Sequence, residues 1–259
     1  IAADTALPYG TFVLANEDSL RALRRRLGAE GFDLVLRVNR IDLAHARQGD
    51  TLVVPPVLDG ARLAPFPDTL GFAGLPPRLL LVSARVQAFA AYEAGRLARW
   101  GPTSTGRRES PTPAGLYHAN WRQRTRRSTV DNGWILDWYV NLSNFTGISL
   151  HRYELPGRPA SHSCVRLLEP DAEWLYRWVE TWTLVPGDAR RIARQGTPVV
   201  VLDAYDFDRP APWERLAADP RATDVAPDSI AAALRRTGVL PPGTAAPPVT
   251  ADAPGDGTR

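Results

Sequence analysis

The sequence predicts a mainly β domain that follows a small α+β unit. The region from residue 78 to residue 204 contains short segments rich in β-branched and aromatic residues, separated by Gly, Pro, Asn and Asp, which is typical of strands and turns. One segment, residues 169–182, instead carries apolar side chains at helical spacing. Residues 11–56 combine both patterns, and the total of 259 residues suits one or two domains.

The small unit, residues 11–56, is predicted to have the order strand, helix, helix or turn, strand. Its first strand is "TFVLA" and its first helix is "NEDSLRALRRRLG", which Asp18 or Ser19 can cap and Gly28 can end. "FDLVLRVNR" continues as a second helix or turn, and "GDTLVVPP" closes the unit as a strand stopped by proline. Residues 1–10 form a short lead.

The main domain, residues 78–204, contains these strand candidates: "RLLLVSAR", "QAFAAYEAGRLARW" folded at Gly95, "AGLYHANW", "WILDWYVNL", "TGISLHRY" and "TPVVVLDAYD". The helix within residues 169–182 has one apolar face, formed by Ala172, Leu175, Trp178, Val179 and Trp182. Many strands and one strong helix indicate a mainly β architecture.

Two segments outside these units are rich in proline and glycine. Residues 57–77 carry several prolines and are interpreted as a linker. Residues 205–259 are interpreted as a C-terminal tail in which "DSIAAALRRTG" favours a short helix. After residue 240 the chain is almost entirely Pro, Gly, Ala and Thr, so we expect disorder there.

The charge pattern argues against nucleic acid as a partner. The net charge is only +3 and every basic residue is arginine. The densest run, "RQRTRRS" at residues 122–128, carries no nucleic-acid-binding signature and is interpreted as a solvated loop or hairpin tip. No apolar run reaches the roughly 18 to 20 residues that span a bilayer, since Arg85 and Gln87 interrupt the best candidate.

The chain begins at Ile1 and contains no methionine. Removal of a signal peptide would explain this start, and so would any other truncation. The corresponding expectation is an exported protein of the periplasm or cell wall. The sequence leaves the oligomeric state open.

The single cysteine of the chain, Cys164, has unusual neighbours. Ser161, His162, Ser163 and Arg166 surround it in "SHSCVRL". Most free cysteines are small buried hydrophobes, but so many polar neighbours favour a reactive thiol. A thiol that an imidazole can deprotonate is a candidate nucleophile.

The domain of Cys164 contains three histidines, His118, His151 and His162. His162 is nearest in sequence, but it belongs to the turn around the cysteine. His151 ends the apolar segment "GISLH", whose alternation places it on the same face as Ser149. We therefore expect His151 to be the base. Consecutive N–H groups of the cysteine turn can converge to stabilise an oxyanion.

Several segments together resemble the L,D-transpeptidase catalytic domain. They are "SHSCVRL", the downstream "DAEWLYRWV", the upstream "ISLH", the "PTPAG" loop at residues 111–115 after "STG", and the closing "GTPVVVLD". The resemblance covers roughly residues 78–204. It implies a β-sandwich of the L,D-transpeptidase type with one main helix after the catalytic cysteine.

The N-terminal unit resembles the LysM peptidoglycan-binding module. The matching residues are Glu17 to Leu20, Asn39, and "GDTL" leading into "VVP" at residues 53–55. This resemblance implies binding to the glycan of peptidoglycan. The alternative is a structural cap that only packs on the next domain.

The L,D-transpeptidase resemblance implies a metal-free, cofactor-free acyl transfer on peptidoglycan stem peptides. Cys164 attacks the carbonyl group of the third stem residue, releases D-alanine and forms a thioester, which an amine of a second stem resolves. His151 is the general base. The backbone N–H groups of His162, Ser163 and Cys164 are the candidate oxyanion donors.

Four residues are candidates for binding the stem peptide, and a fifth is a candidate for lining the cleft. The candidates are Ser161, Arg166, Trp138 and Tyr139, with Trp134 as a further cleft aromatic. Arg166 can hold a substrate carboxylate or form an internal salt bridge to a helix acid. The aromatic residues can equally belong to the core.

Three features depart from the family pattern: the serine at residue 163, the spacing of only 13 residues between His151 and Cys164, and Arg152 directly after His151, where a small residue is common. Ser163 stands where the family usually has glycine, and a positive φ there would cost a serine about 1 to 2 kcal/mol. Two alternatives therefore remain open. One is a carboxypeptidase or related wall hydrolase of the same fold, and the other is an inactive peptidoglycan-binding protein in which Cys164 is vestigial.

Overall fold

The structure is a computed structural model that describes residues 8–128 and 130–241. The strands are β1 (Gly10–Val13), β2 (Thr51–Val54), β3 (Arg78–Ser83), β4 (Ala88–Glu93), β5 (Arg96–Ser104), β6 (Gly115–His118), β7 (Trp121–Arg127), β8 (Ile135–Asn141), β9 (Ser149–Arg152), β10 (Val165–Leu167), β11 (Thr183–Val185), β12 (Asp188–Arg194) and β13 (Pro198–Val201). The helices are α1 (Glu17–Val38), α2 (Glu169–Trp178) and α3 (Pro227–Arg236). Within the described residues, none of them has the length and apolar character needed to cross a bilayer. Residues 1–7 of the predicted lead and residues 242–259 of the predicted tail lie outside the described part.

Nine strands of the described chain form one sheet in the order β6-β13-β3-β4-β5-β10-β9-β8-β7. Neighbouring strands are antiparallel, except that β13 runs parallel to β3 and β10 runs parallel to β9. The sheet curls, because β3, β4 and β13 share an apolar cluster with β8, β9 and β10. The mainly β prediction is therefore confirmed, and the predicted sandwich takes the form of one curled sheet.

Helix α2 completes this apolar cluster. Its residues Ala172, Leu175 and Trp178 are buried, as the helical spacing predicts. The helix ends earlier than the sequence pattern suggests, because Val179 adopts an extended conformation with φ −67° and ψ 141°. The helix therefore packs beside the strands that carry the cysteine and the predicted base.

The predicted loop at residues 122–128 is wrong. Most of this run belongs to β7, which is the edge strand of the sheet and pairs antiparallel with β8. Most of its side chains are exposed, so the run lacks the apolar alternation that marks a half-buried strand. The polar pair β11 and β12 escapes sequence prediction for the same reason.

The N-terminal unit has the predicted order of elements. Strands β1 and β2 pair antiparallel, and α1 is interrupted at Gly28, where φ is 72°. The cap of α1 is Asn16, and not Asp18 or Ser19. The Asn16 side chain accepts the Ser19 N–H at 3.0 Å, and the Ser19 hydroxyl accepts the Asn16 N–H at 3.3 Å, which is a capping box.

One buried and one half-buried arginine fix the N-terminal unit against the main domain. Arg40 is 2 % exposed, and its Nε donates to the carbonyl oxygen of Val86 at 2.8 Å. Arg37 donates to one carboxylate oxygen of the fully buried Asp171 at 2.9 Å, and Arg99 contacts the other at 2.7 Å. Since Asp171 belongs to α2, this ion pair joins the two units.

The segments interpreted as linker and tail contribute to the core. Phe66 and Phe72 of residues 57–77 are buried in one cluster with Ile230 and Leu234 of α3. The prolines prevent regular secondary structure in residues 57–77, but they do not prevent burial. The short helix predicted in the tail is α3, and it is part of the core.

Candidate active site

Cys164 immediately precedes β10, and the register of β10 with β9 decides its neighbours. Val165 pairs with Leu150 and Arg166 with His151. Cys164 therefore lies beside Ser149, with its Sγ 3.1 Å from the Ser149 hydroxyl oxygen and 3.3 Å from the Gly147 carbonyl oxygen. A carbonyl oxygen only accepts, so the thiol donates to Gly147 and the serine hydroxyl is free to donate to the sulfur.

The thiol opens into a cavity of about 350 Å³. The cavity is lined by Trp121, Arg126, Ser128, Val130, Trp134, Leu136, Tyr139, Asn141, Ser143, Asn144, Phe145, Thr146, Gly147, Ser149, His151, Tyr153, Ser161, His162, Cys164 and Arg166. Most of the predicted site residues are thus brought together. In the described part of the chain, no group of three or more His, Cys, Asp or Glu side chains could hold a metal ion.

His151 is a buried, neutral imidazole, only 4 % exposed. Its Nδ1 lies 3.0 Å from the carbonyl oxygen of Arg152. The carbonyl can only accept, so Nδ1 carries the proton and Nε2 is the basic nitrogen. Burial lowers the pKa of His151 to about 4, an effect to which the charge of Arg166 adds and which the hydrogen bond to Arg152 partly opposes.

The Cys164 thiol is also neutral in this arrangement. Burial raises its pKa, while hydrogen bonds from the hydroxyl and N–H groups of Ser149 and the charge of Arg166 lower it in part. The site therefore holds a neutral thiol and a neutral imidazole rather than a preformed ion pair.

The turn before the cysteine contains a residue with a left-handed backbone conformation. Ser163 adopts φ 76°, and its hydroxyl donates to the carbonyl oxygen of Ser110 at 3.2 Å. The Ser163 carbonyl oxygen accepts the Thr112 hydroxyl at 3.0 Å, and the Ser161 hydroxyl donates to the Cys164 carbonyl. Within the described residues the N–H groups of residues 162–164 have no acceptor, so they are available to an oxyanion.

The cysteine turn lies within a region of the chain that matches a known family model. Residues 77–201 match the model of the YkuD family, the L,D-transpeptidase catalytic domain. The resemblance inferred from the cysteine motif is thereby confirmed for these residues. No curated protein matches the chain.

The chain is also similar to solved L,D-transpeptidase structures. One from Mycobacterium smegmatis is 18% identical over 49% of this chain and 59% of that chain, with a TM-score of 0.39. One from Stackebrandtia nassauensis is 16% identical over 72% of this chain and 77% of that chain, with a TM-score of 0.42. L,D-transpeptidase 1 of Mycobacterium tuberculosis is 21% identical over 48% of this chain and 60% of that chain, with a TM-score of 0.36. The match therefore spans only 59% of the length of the M. smegmatis protein.

The other histidines of the region that matches the YkuD model lie in different places. His162 lines the cavity, and its ring centroid lies 5.4 Å from that of Trp134. Burial, together with the charges of Arg107 and Arg166, lowers its pKa. His118 lies on β6, at the opposite edge of the sheet from β7, and does not line the cavity.

Two predicted contacts of this domain require correction. Arg166 makes no internal salt bridge in the described chain, and its guanidinium lies over the Tyr153 ring at 4.6 Å. Trp138 lies outside the cavity, because its φ of 54° turns it toward the helix side of the sheet. There its ring packs edge-on to Tyr176 and lies 3.4 Å from the Arg124 guanidinium. Tyr139, the next residue, lines the cavity as predicted.

Ser149 and Arg126 are site residues to which the sequence assigned no role. Ser149 shares the strand face of His151, and that alternation was a usable signal. Arg126 belongs to the arginine run that was interpreted as a loop. Only the strand pairing of β7 with β8 brings it to the cavity.

Proposed function

We propose that the protein is a peptidoglycan L,D-transpeptidase in which Cys164 forms a thioester with a stem peptide. The supporting observation is the thiol of Cys164 in a cavity that also holds the neutral, buried His151, within a YkuD-family domain. A neutral imidazole is a competent general base, and a thiol needs one in order to attack a carbonyl group.

In the first half-reaction, Sγ attacks the carbonyl carbon of the third stem residue, and the thiol proton passes to Nε2 of His151. The carbonyl oxygen becomes an oxyanion, which the N–H groups of His162, Ser163 and Cys164 stabilise. The intermediate then breaks its C–N bond. His151 returns the proton to the leaving nitrogen, so D-alanine departs as a neutral amine and a thioester remains.

In the second half-reaction, a side-chain amine of another stem attacks the thioester carbonyl. The amine loses a proton, the C–S bond breaks, and the sulfur leaves with a proton returned through His151. The products are a new amide cross-link and a free thiol, so no cofactor is consumed.

The surroundings of Cys164 suit the charges that form when the thiol attacks. Proton transfer creates a thiolate and an imidazolium. The hydroxyl group of Ser149 donates to the sulfur, which stabilises the thiolate. Arg166 has no carboxylate partner within the described chain and can hold the carboxylate of the departing D-alanine.

We further propose that the N-terminal unit is a LysM-like module that binds glycan, which would place the protein on the cell wall or in the periplasm. A groove of about 660 Å³ borders this unit and is lined in part by Thr11, His45, Arg47, Asp50 and Arg158. Both charge signs and a hydroxyl group line the groove, which suits a polyhydroxylated ligand.

Pelleting with isolated sacculi tests whether the N-terminal unit binds glycan. Arg47→Ala is expected to weaken retention on the sacculi. Arg21→Ala, on the exposed side of α1, is expected to leave retention unchanged.

Product analysis tests the enzymatic proposal. Wild-type protein incubated with disaccharide tetrapeptides is expected to release D-alanine and form a cross-linked dimer, which mass spectrometry detects. Cys164→Ala is expected to abolish both products while keeping the melting temperature. A trimmed tripeptide without a dimer would indicate a carboxypeptidase. Wild-type protein that forms neither product would indicate a binding protein.

A further inference from the structure

Strand β7 carries four arginines, and one of them differs from the rest. Arg122 and Arg127 donate hydrogen bonds to backbone carbonyl groups, and Arg124 pairs with the carboxylate of Asp137 at 3.0 Å. Arg126 has no hydrogen-bond acceptor or carboxylate partner among residues 8–128 and 130–241. It is also the one of the four that lines the active-site cavity.

Two aromatic rings hold the Arg126 guanidinium. Its central carbon lies 4.9 Å from the centroid of Trp121 and 5.3 Å from that of Tyr139. Stacking on a ring leaves the N–H groups of a guanidinium free in its own plane. Those N–H groups match the two oxygens of a carboxylate, so Arg126 is prepared for an anionic partner.

The cavity offers Arg126 no such partner. No Asp or Glu is among its described lining residues, and its charged side chains are Arg126 and Arg166. Two uncompensated positive charges in a concave site attract anions. The charge of Arg166 also lowers the pKa of both His151 and His162, which is consistent with a positive cavity.

Arg126 and Arg166 are held at different places in the cavity wall, Arg126 by Trp121 and Tyr139 and Arg166 over Tyr153. Arg166 lies on β10, two residues from Cys164, whereas β7 is three strands away across β9 and β8. Strands are spaced about 4.8 Å apart, so the two backbones are separated by roughly 14 Å if the sheet is followed. We therefore expect a carboxylate held at Arg126 to lie apart from the reacting carbonyl group beside Cys164 and from a carboxylate held at Arg166.

We propose that Arg126 binds a second carboxylate of the stem peptide, one that is not at its C-terminus, and so selects stems with a free carboxylate over amidated stems. This inference rests on the proposed function, because it assigns a specificity residue to that reaction. The ligand class is a peptide with two carboxylates, one near the attacked carbonyl and one remote from it.

The experiment compares two tetrapeptide stems that differ only in whether the non-terminal carboxylates are free or amidated. D-alanine release gives kcat/KM for wild type, Arg126→Gln, Arg126→Lys and Arg124→Gln. Wild type is expected to prefer the free acid by about tenfold or more, as for loss of a charge-assisted hydrogen bond. Arg126→Gln is expected to remove this preference because it lowers kcat/KM for the free-acid stem and not for the amidated stem. Arg126→Lys is expected to keep part of the preference.

Arg124→Gln is the matched control, since Arg124 does not line the cavity and instead lies over Trp138 and pairs with Asp137, and it is expected to keep the preference. Equal use of both stems by wild type would overturn the inference, and so would an equal loss for both stems in Arg126→Gln. Calorimetric binding of the same stems to Cys164→Ala separates this inference from the proposed function. A binding preference that depends on Arg126 supports the inference even if wild type releases no D-alanine.

Discussion

Asp42 and Leu155 hydrogen-bond to each other twice. The Asp42 N–H donates to the Leu155 carbonyl oxygen at 3.0 Å, and the Leu155 N–H donates to the Asp42 carboxylate at 2.8 Å. Next to this pair, the Gly157 N–H donates to the Arg40 carbonyl oxygen at 3.1 Å. Leu155 and Gly157 belong to the segment that joins His151 to Cys164, so the N-terminal unit holds the loop between the predicted base and the nucleophile.

We expect Asp42→Ala to lower kcat for D-alanine release while the melting temperature falls only slightly. The change leaves the N–H of the fully buried Leu155 without its acceptor, at a cost of about 1 to 3 kcal/mol. The loop can relieve this cost by moving, which would displace the cysteine turn. The measurement is kcat and KM for D-alanine release, together with the melting temperature.

Asp59→Ala is the control for Asp42. Its carboxylate accepts only the nearby Ala61 N–H, at 3.0 Å on an exposed loop, so turnover should stay at the wild-type level. If Asp42→Ala kept the wild-type kcat, the loop would hold its position without the hydrogen bond from Leu155 to Asp42.

Ser149→Ala tests the serine beside the nucleophile. Ser149 is fully buried, and its hydroxyl lies 3.1 Å from Sγ. Loss of a hydrogen bond to a charged group weakens acylation by roughly tenfold to a hundredfold. Because Ser149 lowers the pKa of Cys164, the midpoint of iodoacetamide labelling should move to higher pH. An unchanged midpoint would contradict a role for the hydroxyl in stabilising the thiolate.

The pH dependence of kcat/KM should report the pKa of His151, which burial lowers. A base acts only when unprotonated, and the pKa of His151 is lowered to about 4. Activity that depends on this base is therefore present above that pH and is lost as the pH falls through about 4. An acid limb near the ordinary histidine pKa of about 6.5 would contradict the buried, neutral imidazole.

His151→Gln and His162→Gln distinguish the two histidines of the cavity. We expect His151→Gln to lower acylation by roughly 10² to 10⁴, the usual contribution of a general base. His162→Gln should have a smaller effect, since its ring contacts Trp134 on the cavity wall. The measurement is the rate of acyl-enzyme formation by mass spectrometry. A larger loss in His162→Gln would reverse the two roles.

Ser163 combines left-handed strain with a hydrogen bond that a glycine cannot make. Its φ is 76°, and its hydroxyl donates to Ser110. Ser163→Gly removes the strain and the hydrogen bond together, so its unfolding free energy should stay within about 1 kcal/mol of wild type. Ser163→Ala keeps the strain and loses the hydrogen bond, so it should be the less stable variant by urea denaturation. The opposite order would show that the turn is not strained.

Much of the site was predictable because its signals are local. Polar neighbours around Cys164, the strand alternation that ends at His151, and the apolar spacing of α2 each lie within a few consecutive residues. Such patterns reflect backbone preferences and the burial of one face of an element. They correctly indicated a mainly β domain and the resemblance of residues 77–201 to the L,D-transpeptidase catalytic domain.

Some features depend on contacts between residues that are distant in sequence, and only the tertiary structure determined these. The parallel register of β10 with β9 places Ser149 beside the thiol, and a shift of one residue would have reversed which side chains face the cavity. Pairing of β7 with β8 turns an apparent arginine loop into a strand and brings Arg126 to the cavity. A proline-rich segment and the predicted tail join the core only because α3 packs against Phe66 and Phe72. These contacts form between separate elements, whereas local periodicity describes one element at a time.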